Sequence, residues 1–163
     1  MLLFNDFTVQ TLIAVLIAVL LGMTVHEFAH NYVGHLMGDP VPAREGRLTL
    51  NPMVHINPLG FLMFVLIGFG ILGSAPIAAH RMRNPRWGFL AAVAAGPLSN
   101  LLLAVIFAIL LKFVPITPRD LIGAVFFGQT GDFTTSLALL FGQIVFWNVL
   151  LFIFNLLPVF PID

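Results

Sequence analysis

The chain has 163 residues, 60% of them hydrophobic and 9% charged, with a mean hydropathy of +1.04 and a formal net charge of zero. A soluble globular chain is nearer half apolar and a quarter charged, so this composition describes a polytopic membrane protein of single-domain length. The absence of cysteine excludes disulfides and thiolate ligands, and the neutral balance leaves no nucleic-acid footprint.

The first predicted helix covers residues 8–37. Its residues 12–23, LIAVLIAVLLGM, are apolar throughout, and His26-Glu27-Phe28-Ala29-His30 follows directly. A helix of this size spans roughly 45 Å, enough to cross a bilayer and emerge. Gly38-Asp39-Pro40 ends it. Ionisable side chains inside a membrane are costly and mark function. The His-Glu-x-x-His spacing puts both imidazoles on one helix face, one turn apart, with the glutamate beside them. That pattern binds zinc and supplies a general base. No basic start or small-residue cleavage site marks a signal peptide here.

Residues 39–58 are polar and rich in turn formers, including Arg44, Glu45, Arg47, Asn51-Pro52 and Asn57-Pro58; Leu48-Thr49-Leu50 is the best strand candidate. Residues 59–73 are apolar but too few for a full span, which needs about 20 residues. Residues 74–86 form a basic loop containing proline. Residues 87–114 make a second span carrying Ala95-Gly96-Pro97-Leu98-Ser99-Asn100 in its first half. Residues 115–135 read as a turn-rich connection. Residues 137–157 make the last span, running into Asn155-Leu156-Leu157-Pro158-Val159-Phe160-Pro161-Ile162-Asp163. The expected fold is therefore an all-α polytopic membrane protein. It has three full transmembrane helices, one re-entrant or hairpin segment (59–73) and a short strand-like loop.

A catalytic zinc site usually has three protein ligands and an open position. His35 lies about 180° around the helix from His26 at 100° per residue, and reads as interfacial. Glu45 sits among Arg44 and Arg47 and pairs with them, whereas Asp39 reads as a turn residue. Asp163 follows a span and two prolines, where a broken backbone lets a carboxylate reach inward. It is the preferred third ligand, although spacing alone leaves the choice open. If His26, His30 and Asp163 share one metal, the first and last helices run in the same direction. An odd number of crossings then lies between them, so 59–73 must re-enter. Arg44, Arg47, Arg81, Arg83 and Arg86 then share the site's side, opposite Lys112 and Arg119. The positive-inside rule turns the site toward the cytoplasm.

The chain resembles the site-2 protease family of intramembrane zinc metalloproteases, in its branch without a PDZ domain. The resemblance rests on the HEFAH helix, on Ala-Gly-Pro-Leu-Ser-Asn at residues 95–100, and on Asn155, Pro158, Pro161 and Asp163, which resemble the family's Asn-x-x-Pro-x-x-Pro-x-Asp-Gly. Asn51-Pro52 to Asn57-Pro58-Leu59-Gly60 is similar to the PDZ-less branch. The resemblance implies that His26, His30 and Asp163 ligate one Zn2+ per chain and that Glu27 is the catalytic acid/base. It also implies that Asn155 helps position the peptide. The family continues beyond the aspartate with Gly-Gly and further helices, so residues 1–163 are expected to be one membrane-embedded metalloprotease core truncated at its C-terminus.

From the residues themselves, His55 lies on the predicted site side and is read equally as a substrate contact and as a hydrogen-bonded loop histidine. Gly96 breaks a span near the site and reads equally as exposed backbone and as a packing kink. Asn100 is carried with them as a site-positioning candidate. His80 reads as an interfacial loop residue.

The expected activity is hydrolysis of transmembrane or membrane-proximal peptide by a metal-activated water, in a multi-pass protein of a prokaryotic cell membrane. Its partners are then a membrane-embedded substrate and the lipid bilayer. The alternatives are a non-proteolytic metal-binding membrane protein and an inactive fragment, and Glu27 discriminates the first of these, since a storage site needs no base there.

Overall fold

The computed structural model describes residues 8–67 and 73–156. Three long helices carry the structure: α1 (Val9–Leu36), α5 (Pro85–Leu111) and α7 (Phe133–Leu156). Each is long and apolar enough to cross a membrane. Short helices α2 (Val41–Arg44), α3 (Pro52–His55) and α4 (Pro58–Ile67) follow α1, and α6 (Pro118–Phe127) joins α5 to α7.

The long helices start and stop on local signals. The Thr8 side chain accepts the Thr11 amide at the start of α1, and Gly38, at φ 110°, ends it in a conformation that favours glycine. Asn84 caps α5 by accepting the Trp87 amide, and Pro85 occupies the first turn, where its missing N–H costs no helix bond.

α1, α5 and α7 pack on one another in pairs. In lipid no hydrophobic drive pulls helices together, so close approach through small residues and interhelical hydrogen bonds must do it. The buried faces show this: Ala14, Ala18 and Gly22 on α1, Ala92, Gly96 and Ala104 on α5, Ala138 and Gly142 on α7. Large side chains such as Ile13, Ile17, Leu98, Leu102, Ile109 and Ile153 point outward, where lipid solvates them.

Contacts fix the directions. Ala14 clusters with Leu139, and Gly22 meets Asn148, so α1 and α7 run parallel. His30 pairs with Ala92 and His26 with Asn100, so α5 runs opposite to α1. One crossing therefore lies between the parallel first and last helices. Of the stretch 59–73, expected to re-enter, residues 68–72 lie outside the described residues. Ile56 and Gly73 form an antiparallel bridge, so the segment between them begins and ends at one place. The outgoing helix α4 buries Phe64 in a cluster with Val15, Val19 and Met23 of α1, and Phe64 meets Trp147 of α7 edge to face. Packing on protein is what makes such a re-entrant path tolerable at membrane depth.

Two expectations are corrected. Leu48 and Thr49 form bends and Leu50 is irregular, so the three make no strand. Thr49 Oγ1 accepts the Asn51 amide and the Thr49 carbonyl accepts a bond from His55, so the segment closes on itself locally and does not pair with a neighbour. The 115–135 connection contains helix α6. Thr117 caps it through the Asp120 amide, Asp120 sits in the first turn, and Gly128 closes it at φ 63°.

A buried ion pair ties the membrane-surface loops to the end of α1. Arg81 Nε and Nη2 donate to Asp39 Oδ1 and Oδ2 at 2.7 and 2.8 Å, and the amides of Val41 and Ala78 donate to the same carboxylate, each at 3.0 Å. Asp39, expected to be a turn residue, is thus fully buried at the centre of a loop junction. Burial alone would raise its pKa, but the bonds from Arg81 and the two amides outweigh this and hold it below the ordinary carboxylate value. Arg81 also donates to the Pro76 carbonyl. Glu45 pairs with Arg47 at 2.9 Å, as expected.

Candidate metal centre

His26, Glu27 and His30 are all buried, at 1%, 3% and 3% exposure. One turn of α1 brings the imidazoles together as the spacing predicts: ring centroids lie 4.5 Å apart, nearly perpendicular, and the Nε2 atoms are 2.9 Å apart.

Both rings are oriented from α5. His30 Nδ1 lies 2.7 Å from the Ala92 carbonyl. A carbonyl only accepts, so His30 carries its proton on Nδ1. His26 Nδ1 lies 2.5 Å from Asn100 Oδ1. Asn100 Nδ2 donates to the Gly22 carbonyl at 3.2 Å, which turns its oxygen toward His26 and makes His26 Nδ1 the donor. With Nδ1 committed as donor on each ring, Nε2 is the atom each neutral imidazole would offer a metal, and the two Nε2 atoms face each other at 2.9 Å. Metal-ligating histidines characteristically donate the other ring N–H to an oxygen, as both do here. Gly96 lets the α5 backbone approach the pair closely. A Cβ at that position would overlap His30 Nε2 and stand 2.8 Å from His26 Cε1. The donor set and the Nδ1-protonated tautomers fit a divalent metal that prefers imidazole nitrogen.

A cavity of about 100 Å3 adjoins Glu27 and His30, lined also by Gly73, Ser74, Ala75, Ile77, Phe89 and Val93. Gly73 permits the carboxylate to sit there, since its Cβ would stand 2.8 Å from Glu27 Oε1. Pro97 lies inside an unbroken α5 and cannot donate to the carbonyl of Val93, a residue of the cavity wall. Asn31, fully buried, donates to the Glu27 carbonyl at 2.7 Å.

Of the residues singled out from sequence, the structure brings His26, Glu27, His30, Gly96 and Asn100 together. His55 is buried on α3, and its Nε2 donates to the Thr49 carbonyl at 2.6 Å, apart from the imidazole pair and the cavity wall. Asn155 donates to Leu151 O, one turn back on α7, at 2.8 Å. Asp163 lies outside the described residues, and among the described residues no third acidic or imidazole side chain completes a metal cluster with the two histidines. Sequence reasoning missed Gly73, Asn31 and Asn148. The two asparagines stand in apolar helices and are fully buried, so each amide needs a partner, and those partners are visible only in the fold.

The chain is 35% identical over 147 residues to a Bacillus subtilis protein named "Putative zinc metalloprotease YwhC", covering 90% of this chain and 64% of that protein. It is 32% identical over 103 residues to "Putative zinc metalloprotease Rip2" of Mycolicibacterium smegmatis, covering 60% of this chain and 39% of that protein. The chain thus spans less than two thirds of the length of either relative. No family model and no solved structure matches it. These relatives bear out the resemblance drawn from the sequence motifs.

Proposed function

We infer that this chain, similar to YwhC and Rip2, is the core of an intramembrane zinc endopeptidase of the site-2 protease kind that cleaves transmembrane or membrane-proximal peptide. The observation that carries the reading is Glu27. It sits buried beside two histidines whose Nε2 atoms face each other at 2.9 Å, and it borders a cavity. A site that only stored metal would need no carboxylate between its ligands and open space.

His26 and His30 hold the zinc, one ion per chain, and Asp163 is assigned as the third ligand. Bound zinc supplies a Lewis acid that polarises a peptide carbonyl and acidifies water. Glu27 takes the proton of the attacking water and passes it to the leaving amine nitrogen. Ala92 and Asn100 hold the imidazoles in the tautomer that presents Nε2. Gly73 and Gly96 leave the room that Glu27 and His30 occupy, where a Cβ would displace them. Asn155 is assigned to peptide positioning near the last turn of α7.

Arg44, Arg47, Arg81 and Arg83 lie between the C-terminal end of α1 and the start of α5, Arg86 lies in the first turn of α5, and the Arg83 amide donates to the Met37 carbonyl at 2.9 Å. Lys112 and Arg119 lie at the opposite end of α5. This bias supports a cytoplasmic orientation of the site in a bacterial membrane.

The test is cleavage of a single-span substrate co-reconstituted in liposomes. Glu27→Gln should lower turnover by about 100- to 10,000-fold while zinc content stays at the wild-type level. Equal turnover in wild type and Glu27→Gln would overturn the assignment.

A further inference from the structure

Asn148 belongs to none of the motifs that carry the site. It stands in the middle of α7, between Trp147 and Val149, and is fully buried. Its Oδ1 accepts from Asn100 Nδ2 at 2.8 Å, shorter than the 3.2 Å bond from the same nitrogen to the Gly22 carbonyl. Its own Nδ2 donates to the Ile144 carbonyl at 2.8 Å.

These bonds form a directed chain. The Ile144 carbonyl cannot donate, so it fixes which end of the Asn148 amide is nitrogen. That leaves the Asn148 oxygen facing Asn100, so Asn100 must present its nitrogen there. The Asn100 oxygen then faces His26, and His26 must carry its proton on Nδ1. A reversal at any link would set two donors or two acceptors against each other in a buried site, at substantial cost. Gly22 leaves room for the junction: a Cβ on it would stand 2.7 Å from Asn148 Oδ1.

We propose that Asn148 is a positioning residue for the metal centre, setting through Asn100 the tautomer and ring direction of His26. It couples the third long helix to a ligand on the first. The proposal rests on the assignment of His26 to zinc. Partners of ligating histidines typically change metal affinity by about 10- to 100-fold when removed.

The test is zinc affinity, by competition with a chromophoric chelator, on purified protein in detergent. Asn148→Leu keeps the number and branching of the side-chain heavy atoms and removes the acceptor, and should weaken zinc binding by about 10- to 100-fold. Asn148→Asp keeps an acceptor and should restore most of that loss. In an Asn100→Leu background, Asn148→Leu should cause no further loss. Ring 15N NMR of the metal-free protein adds a readout that a packing defect would not move: His26 protonated on Nδ1 in wild type, and a mixture of tautomers in Asn148→Leu. Wild-type affinity and an unchanged tautomer in Asn148→Leu would overturn the proposal, as would an equal loss in the Asn100→Leu background. Zinc affinity unchanged by His26→Ala would instead overturn the metal assignment on which the proposal stands.

Discussion

Gly96 of α5 lies against the Nε2 edge of His30 so closely that a Cβ at this position would overlap the ring. Helix α5 cannot retreat, because the same helix holds both imidazoles through Ala92 and Asn100. Gly96→Ala should therefore push His30 off its present line. Zinc affinity should fall by at least about tenfold, the scale on which misoriented ligands act, with helix content by circular dichroism unchanged. Wild-type zinc affinity in Gly96→Ala would show that the close approach of Gly96 to the imidazoles has no role in metal binding.

Gly73 stands in the same relation to Glu27, and its replacement should act on a different step. A Cβ 2.8 Å from Oε1 displaces the base and leaves the two imidazoles alone. Gly73→Ala should lower kcat by about 10- to 100-fold, within the range general-base catalysis spans, while zinc content and KM change little. A variant that lost zinc but kept turnover per bound zinc would contradict this separation.

The Asp39–Arg81 pair should appear as acid-dependent stability. The carboxyl is held below its ordinary value, so the pair contributes fully above the unfolded-state pKa of about 3.9, and its contribution is lost as pH falls toward the folded value. Arg81 is about a quarter exposed, which moderates the effect. In chelator-treated protein, Asp39→Asn should cost about 1–3 kcal/mol at pH 7. The gap between wild type and variant should narrow below about pH 4. Thermal unfolding in detergent at the two pH values measures it; a gap that widened in acid would reverse the sign.

A substrate helix must open before its carbonyls can be attacked, since its backbone groups already bond to one another. Placing Gly or Pro near the scissile bond of a single-span substrate should therefore raise the cleavage rate. Rates indifferent to these residues would remove unwinding from the account.

Much of this was legible in the residues. Unbroken apolar runs set α1, α5 and α7, and Thr8 and Gly38 marked the ends of α1 within a residue or two. The His-Glu-x-x-His spacing fixed the imidazole pair because helix geometry is local. The parity argument required parallel first and last helices, and the contacts show them so. Helix α6 was missed although Thr117, Pro118, Asp120 and Gly128 spelled its caps; the prolines and glycines around it drew attention to turns instead. Asp39 was read too narrowly, because its partner Arg81 lies 42 residues away and no local pattern reveals it. The same holds for Asn148, whose meaning depends on Asn100 across a helix interface.

The central claim is that His26 and His30 hold a catalytic zinc. Metal content by mass spectrometry on protein purified in detergent tests it most directly, with wild type beside His26→Ala, His30→Ala and Asp163→Ala. The account predicts about one zinc per chain in wild type, in keeping with a mononuclear site, and loss in all three variants. Zinc retained without either histidine would contradict it, and zinc retained only in Asp163→Ala would assign the third ligand elsewhere.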